Sequence, residues 1–370
     1  MKIGIDISQI VYKGTGVARF LNGLTNYILD YDQSNHWTFF FSSLREKIDP
    51  ELERKINSRN SELIKWKLPP TLLSFVWNDL HISKIENLKF KIAPDWFITS
   101  DWTEPPSNSI RKATIVHDLV YLRYPETVTN KILRTQTKRL KWVAKESQII
   151  FADSETTKKD LIKFLEIKES RIVVNYPGVK IVEPNETETQ KILNKYNLHK
   201  PFVLTVGKLE PRKNLHRLIN AFNDIKTDID LVIVGPSGWE NYDEASQQNP
   251  RIRFLGYIPD NVLYSLYSSC VFLIYPSLWE GFGYPIIEAM KLGAPVACSN
   301  DSSVQEIAQD GALLFNPLDV QEISHTIKKL ISTKKLRQDL TEKGKKAASL
   351  FTWERYYQKM IQYLTYGNRD

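Results

Sequence analysis

Residues 271–297 read VFLIYPSLWEGFGYPIIEAMKLGAPVA, and this stretch predicts one complete strand–helix–strand unit. The β-rich apolar run at 271–275 stops at a turn that contains glycine, which is typical of a buried parallel strand. Pro285 suits the first helical position, where its missing N–H has no helical partner to lose. Gly293 suits the left-handed residue that ends a helix, and Pro295 begins the next strand. Two strands joined in this way lie parallel in one sheet.

The same alternation extends through both halves of the chain. Strands are predicted at residues 3–7, 37–41, 96–99, 113–116, 148–152 and 171–174, and then at 202–206, 231–234, 253–255, 271–275, 295–297 and 312–315. The rhythm pauses at the polar residues 183–189, where we place a linker. The pattern predicts an α/β fold with two doubly wound parallel-sheet domains and a binding cleft at the carboxyl ends of their strands. The expected domains are 1–180 and 181–350, with a helix at 351–370 that packs back on the first domain.

Composition narrows the class of protein. The 370 residues are enough for two domains, and 42% hydrophobic with 25% charged residues is typical of a globular enzyme. Two cysteines are too few for a disulfide framework. The amino terminus lacks the apolar segment of a signal peptide, so we expect a cytoplasmic protein. The net charge of +7 suits a nucleic acid, an anionic membrane or a phosphorylated small molecule.

The turn after residue 275 has the chemistry of a sugar-nucleotide cradle. The following helix presents free N–H groups and the positive end of its dipole, which favour a phosphate. Gly281 and Gly283 allow the backbone to approach a ligand closely. Glu280 and Glu288 can accept hydrogen bonds from sugar hydroxyls on either side of a bound diphosphate. The alternative is an ordinary turn with two solvated glutamates.

A second segment, GKLEPRKN at 207–214, places cations at the end of another predicted strand. Lys208, Arg212 and Lys213 are positioned to neutralise a diphosphate that leaves as a glycosidic bond breaks. Asn214 is a suitable cap for the helix that follows. A loop of solvated lysines is the alternative for this segment taken alone.

These two segments resemble family 4 of the retaining glycosyltransferases, which have the GT-B fold of two facing Rossmann-like domains. Glu280 and Glu288, with seven residues between them, match the family's pair of glutamates. Residues 207–214 resemble its basic loop, although Lys208 stands where arginine is usual and cannot form a bidentate fork. Residues 116–119 and 124–126, VHDL and YPE, resemble a branch that contains many mannosyltransferases.

The resemblance also implies roles for individual residues. Glu288 should bind the donor ribose, Glu280 the transferred sugar, and His117 the sugar near the reacting carbon. The implied catalytic residues are Glu280, His117, Lys208 and Lys213, and the implied donor-binding residues are Gly16, Lys208, Arg212, Lys213, Tyr257, Ile258, Glu280, Gly281, Phe282, Gly283, Tyr284 and Glu288. Asp228 and Asp230 spell a metal-binding pair of the other large glycosyltransferase fold, but they precede a strand instead of following one. We therefore expect no metal and no cofactor besides the nucleotide-sugar substrate.

The expected activity is retaining transfer of a hexose from a nucleoside-diphosphate sugar to a saccharide acceptor. GDP-mannose is the first expectation for the donor and UDP-hexoses the next, and the acceptor is expected to be lipid-linked, in synthesis of a bacterial surface polysaccharide such as O-antigen or capsule. One alternative is a nucleotide-sugar epimerase of the same fold, which needs no acceptor. Another is a basic nucleic-acid-binding protein, although the chain has no recognition motif and its positive charge is dispersed.

Two further segments raise the question of membrane contact. Residues 131–142 form a basic helical pattern that suits anionic lipid at the inner face of the cytoplasmic membrane, with a solvated helix face as the alternative. Residues 69–77 are apolar and suit either an acceptor or membrane contact, or the protein core.

Overall fold

Every strand predicted from the sequence is present in the computed structural model, which describes residues 1–12, 14–238 and 249–367. The strands are β1 Lys2–Asp6, β2 His36–Ser42, β3 Ser61–Trp66, β4 Trp96–Ser100, β5 Arg111–Val116, β6 Ile149–Ala152, β7 Ile172–Val174, β8 Phe202–Val206, β9 Asp230–Val234, β10 Ile252–Gly256, β11 Phe272–Tyr275, β12 Val296–Ser299 and β13 Ala312–Phe315. The sequence analysis missed β3. Its charged residues Glu62 and Lys65 interrupt the apolar run, as an edge strand allows.

Helices follow most of the strands. In the described residues they are Gly16–Tyr31, Pro50–Asn57, Pro70–Ser74, Val120–Arg123, Asn130–Glu146, Glu155–Leu165, Glu186–Lys195, Leu215–Asn223, Asp260–Ser269, Tyr284–Lys291, Ser302–Ala308, Val320–Ser332, Lys334–Ala348 and Trp353–Tyr366. Among these described helices, none is both long enough and apolar enough to cross a bilayer.

The strands form two sheets, and each sheet is parallel throughout. Strand order is β3-β2-β1-β4-β5-β6-β7 in the first sheet and β10-β9-β8-β11-β12-β13 in the second. Each sheet starts at an inner strand, grows outward in one direction and then returns to grow in the other. The direction reverses between β1 and β4 and between β8 and β11, and such switch points are where doubly wound sheets bind ligands. The predicted doubly wound α/β class is confirmed.

The chain divides into two compact units. The first unit comprises Met1–Gly178 with Thr352–Asp370, and the second comprises Val179–Phe351. In the second unit, Leu218 and Phe222 lie on the helix after β8 and are fully buried in the core beside Ile233 of β9. The inner strands of both sheets are buried on both faces because helices cover both faces of a parallel sheet.

The helix Trp353–Tyr366 is part of the first unit. Its Trp353 side chain lies in a notch beside Gly23 and Gly178, where an added Cβ would come within 2.2 and 2.3 Å of Trp353 atoms. At the far end of the helix, the indole N–H of Trp96 donates to the Leu364 carbonyl over 2.8 Å. Glycine is therefore required at both sides of the notch for this helix to dock.

Candidate active site

The two segments singled out in the sequence meet at the switch point of the second sheet. Strands β8 and β11 are neighbours in that sheet, and both loops leave their carboxyl ends. The backbone N–H of Leu278 donates to the Arg212 carbonyl over 2.8 Å, which joins one loop to the other. The cationic loop and the glycine turn therefore build one site.

Glu280 is the centre of this site. Its Oε1 accepts from the Lys213 ammonium at 2.6 Å and from the Tyr275 hydroxyl at 2.9 Å. Its Oε2 lies 2.8 Å from Nη1 of Arg212, whose Nη2 donates to Glu210 at 2.6 Å. Glu280 is only 8% exposed. The alternative of a loop of solvated lysines is therefore wrong for Arg212 and Lys213, which are paired and largely buried.

Burial and neighbouring charges shift the pKa values of Glu280 and Lys213. Burial raises the pKa of the Glu280 carboxyl, but the charges of Arg212 and Lys213 outweigh burial and lower that pKa to about 2. Burial lowers the pKa of Lys213, helped by Arg212 and opposed by Glu280. Glu280 is therefore ionised across the physiological pH range. It forms ion pairs with two cations, Arg212 and Lys213, that are suited to binding a phosphate.

The glycine turn that follows has a fixed shape. Gly283 has φ of +110°, which favours glycine, and a Cβ there would lie 3.2 Å from Ile307 and Val304. The Ser303 hydroxyl lies 2.8 Å from both the Glu280 and the Phe282 carbonyl oxygens, and it can donate to either. The turn is thus held from outside at both ends.

The helix Tyr284–Lys291 begins one residue before Pro285, which the sequence analysis placed at its first position, and it ends before Gly293 as predicted. Proline occupies its first turn, and Gly293 beyond its end has φ of +82°. The Gly293 N–H donates to the Met290 carbonyl over 3.1 Å, and the Ala294 N–H donates to the Ala289 carbonyl over 2.9 Å. These two bonds form the expected glycine-ended C-cap. The helix amino end is therefore fixed directly after the Glu280 turn.

Glu288 lies one turn into this helix. It is 2% exposed, and its Oε2 accepts from the Tyr267 hydroxyl over 3.2 Å. Since Glu280 is buried as well, the alternative of two solvated glutamates is wrong.

Asn214 does not cap the helix that it precedes, so that prediction is wrong. Its φ is +58°, whereas a capping residue normally has extended backbone. Its side-chain amide instead donates to the carbonyls of Pro276 over 3.1 Å and Pro317 over 2.6 Å. Asn214 therefore fastens the cationic loop to the loop that leaves β11.

The other predicted donor residues lie around this cluster without being part of its ion pairs. Lys208 is exposed on the cationic loop. Tyr257 is 59% exposed after β10, whereas Ile258 beside it is buried. Phe282 is buried, with its ring edge-on to Phe351 at 5.6 Å between ring centroids. Tyr284 and Gly281 lie in or beside the glycine turn, Tyr284 as the first residue of its helix.

The first unit contains the two remaining predicted residues. Gly16 is the exposed first residue of its helix, and Thr15 caps that helix by accepting from the Ala18 N–H over 3.2 Å. His117 follows β5, and its ring nitrogens face two residues that the sequence analysis missed. Nδ1 lies 2.7 Å from Asp153 Oδ2, and Nε2 lies 3.1 Å from the Ser100 hydroxyl.

Asp153 and Ser100 could have been found from strand order. β4, β5 and β6 are adjacent and parallel, so residues at their carboxyl ends lie side by side. Burial lowers the pKa of His117, but Asp153 together with Asp101 and Asp118 outweighs burial, and the net pKa is raised. Burial raises the pKa of Asp153 despite the opposing effect of His117.

Known proteins are similar to this chain in sequence and in fold. Residues 186–347 match the family described as "Glycosyl transferases group 1". The O-antigen chain mannosyltransferase B of Escherichia coli is 28% identical over 375 residues, which cover 96% of this chain and 97% of that protein. The solved sucrose-phosphate synthase of Thermosynechococcus elongatus superposes with a TM-score of 0.74 at 18% identity, over 98% of each chain. Anabaena HepE in complex with UDP and glucose superposes with a TM-score of 0.70 at 19% identity, over 99% of each chain.

Proposed function

We propose that this chain, which has the GT-B fold and whose residues 186–347 match the glycosyl transferases group 1 family, transfers mannose from a nucleoside-diphosphate sugar to a saccharide acceptor. The observation that carries the proposal is the buried cluster of Glu280, Lys213 and Arg212 beside the amino end of a helix. Acidic groups for hydroxyls and basic groups for phosphate converge there, as a nucleotide sugar requires.

The donor diphosphate enters by replacing Glu280 as the partner of Lys213. The positive end of the dipole of the helix Tyr284–Lys291 also favours the charge of the diphosphate. Glu280, released from the cation, can accept a hydrogen bond from a hydroxyl of the transferred sugar. Glu288, one turn further along, is proposed to accept from the ribose.

The proposed reaction is front-face substitution with retention. The bond from the anomeric carbon to the diphosphate oxygen breaks as a bond to the acceptor oxygen forms on the same face. The proton of the acceptor hydroxyl passes to the departing diphosphate oxygen. Lys213 and Arg212 stabilise the negative charge that develops on the leaving group, so the proposed step uses no metal.

GDP-mannose is the proposed donor, and a panel of donors tests it. The full-length similarity to an O-antigen mannosyltransferase favours mannose and a role in bacterial surface polysaccharide synthesis. The HepE complex with UDP and glucose keeps UDP-hexoses as the next candidates. We expect GDP-mannose to raise the melting temperature most and to be consumed only when a saccharide acceptor is present. Isomerisation of donor without acceptor would instead indicate the epimerase, and transfer from UDP-glucose alone would contradict the mannose assignment.

We also propose that the acceptor is lipid-linked and that one surface of the first unit rests on anionic lipid. Four exposed apolar side chains lie within residues 72–82: Leu72, Phe75, Leu80 and Ile82. The same stretch buries Leu73 and Trp77 in the core, so residues 69–77 serve partly as core and partly as surface.

A basic helix is fastened to this apolar stretch. In the helix Asn130–Glu146, the Trp142 indole donates to the Asn78 carbonyl over 2.9 Å and stacks on the His81 ring at 3.4 Å. Lys138 forms an ion pair with Asp79. Exposed cations occupy other positions of this helix: Lys131, Arg134, Lys141 and Lys145. Apolar side chains beside cations match the interface of an anionic bilayer.

Liposome sedimentation tests this surface. We expect the wild type to sediment with vesicles containing phosphatidylglycerol, to sediment less at high salt, and to remain in solution with neutral vesicles. Phe75→Ser should weaken sedimentation several-fold, because the variant lacks an exposed aromatic side chain that is proposed to enter the bilayer interface. Leu318→Ser is the matched control, since Leu318 is 61% exposed in the second unit. Equal sedimentation of the Phe75 variant and the wild type would contradict the assignment of this surface.

A further inference from the structure

The buried carboxylate of Asp153 forms a hydrogen bond with a single side chain, that of His117, in the described part of the chain. It follows β6 and is 2% exposed, and its Oδ2 lies 2.7 Å from Nδ1 of His117. Its other oxygen, Oδ1, is buried and has no hydrogen-bond partner in the described part of the chain. A buried carboxylate with a single side-chain partner binds that partner strongly, because water does not compete for it. The orientation of His117 is therefore tied to this one carboxylate.

We propose that Asp153 is a positioning residue for sugar transfer, which fixes the His117 ring with Nδ1–H toward itself and leaves Nε2 for a substrate hydroxyl. This inference rests on the proposed function and assigns a role to a residue that the resemblance does not single out. A carboxylate only accepts hydrogen bonds, so the hydrogen of a neutral ring must be on Nδ1. Nε2 is then an acceptor.

Ser100 indicates what Nε2 can bind. Its hydroxyl lies 3.1 Å from Nε2 and, with Nδ1 protonated, acts as the donor to the neutral ring. A sugar hydroxyl has the same chemistry and can replace it. The His117 side chain is 14% exposed, whereas that of Asp153 is 3% exposed, so a ligand can reach the imidazole and not the carboxylate behind it.

The surroundings prevent the ring from turning. The edge of Phe20 packs against it with ring centroids 4.8 Å apart, and Phe20 also packs edge-on against Trp353 and Tyr356. The backbone of His117 is held as well, since the Thr157 hydroxyl donates to its carbonyl over 3.1 Å. The position and the tautomer of the His117 ring are thus both set before a substrate binds. Residues packed around a catalytic group commonly hold it in its active geometry in this way.

The acidic groups around His117 raise its pKa, so removing one of them should shift the pH–rate profile. Asp153, Asp101 and Asp118 all raise the pKa of His117, while burial lowers it. Asn at position 153 removes the largest of the three favourable charges, so the pKa of His117 should fall. If the neutral ring is the active form, the acidic limb of the pH–rate profile moves to lower pH in this variant.

Asp153→Asn tests the proposal by a double-mutant cycle. We expect kcat to fall about 10- to 100-fold with the KM for donor within about 3-fold of wild type, as when the support of a catalytic group is lost. In a His117→Ala background the same change should cost little further, because its effect passes through His117. An equal loss in both backgrounds, or wild-type kcat with an unshifted pH profile, would overturn the proposal.

Asp160→Asn is the matched control. Asp160 is 1% exposed in the same unit and is paired with Arg123 at 2.6 Å. This variant should lose stability without a shift in the pH–rate profile. An equal shift in both variants would show that Asp153 has only a structural role.

Nitrogen NMR of the wild-type His117 ring gives a readout that does not depend on activity or on the folding of any variant. Hydrogen on Nδ1 in the neutral ring supports the proposal, and hydrogen on Nε2 overturns it. If the wild type transfers no sugar from any donor, the proposed function fails, while the NMR result still decides whether Asp153 sets the tautomer.

Discussion

Glu280→Gln is expected to lower turnover by about 10²- to 10³-fold, because the variant loses the carboxylate proposed to hold the transferred sugar, and removing one preorganised transition-state contact usually costs this much. Yet the variant should bind nucleoside diphosphate at least as tightly as the wild type. In the free protein the Glu280 carboxylate pairs with Lys213 at 2.6 Å and with Arg212 at 2.8 Å. A diphosphate must displace that carboxylate, and a neutral amide competes less for the two cations.

Steady-state kinetics and calorimetric titration with GDP and UDP measure the two effects separately. Glu210→Gln is the matched control, because Glu210 pairs with Arg212 and not with Lys213 in the described structure. We expect less than about a 10-fold loss of turnover in this control, because Glu210 binds Nη2 of Arg212, whereas Glu280 lies against Nη1 and against Lys213, and one such hydrogen bond contributes little net free energy. Wild-type turnover in Glu280→Gln, or much weaker nucleotide binding, would contradict the proposed exchange of partners.

Lys213→Ala is expected to lower kcat/KM by about 10²- to 10³-fold as well, but here with weaker binding of the diphosphate. The buried Lys213 ammonium is the cation that Glu280 holds in readiness for the ligand. Its loss leaves Glu280 paired with Arg212, so the fold should persist. Circular dichroism and a thermal melt check that persistence.

Lys208→Ala is the comparison for that experiment. Lys208 lies on the same loop but is exposed, so solvent and salt screen its charge. We expect a loss of less than about 10-fold that shrinks further as salt rises. Equal losses for the two lysines would show that charge in the loop matters and that the buried geometry does not. Opposite changes in diphosphate affinity for Glu280→Gln and Lys213→Ala would instead support competition between the carboxylate and the ligand.

Local sequence patterns predicted the architecture because each strand carries its own evidence. The apolar runs of β8 and β11 must be buried on both faces, and only a parallel sheet covered by helices offers that. Pro285 and Gly293 marked the ends of a helix through backbone preferences that any context would respect. β3 was not predicted because a strand at the sheet edge can tolerate charged residues, which weaken its apolar pattern.

The sequence predicted which residues lie at the strand ends that form the site, but not which side chains pair with one another. Arg212, Lys213 and Glu280 were placed at the ends of two strands, but their ion pairs depend on side-chain directions that spacing does not determine. Asn214 was misassigned because its side-chain amide donates to the carbonyls of two prolines that are distant in sequence, a pairing that local patterns do not show. Asp153 was not predicted because its importance comes from its contact with His117, which follows the neighbouring strand, and local sequence patterns do not show such a contact.

The division of the first unit between the two ends of the chain has a consequence for biosynthesis. Its last helix emerges from the ribosome only after the whole of Val179–Phe351. At about 5–20 residues per second, that interval lasts roughly 10–35 s. During that interval Trp353 is not yet available to pack against Gly23, Gly178 and Phe20, so the nascent first unit exposes an apolar notch. The second unit can already fold in this time. The order of maturation is therefore inverted, and the half that is translated first is completed last.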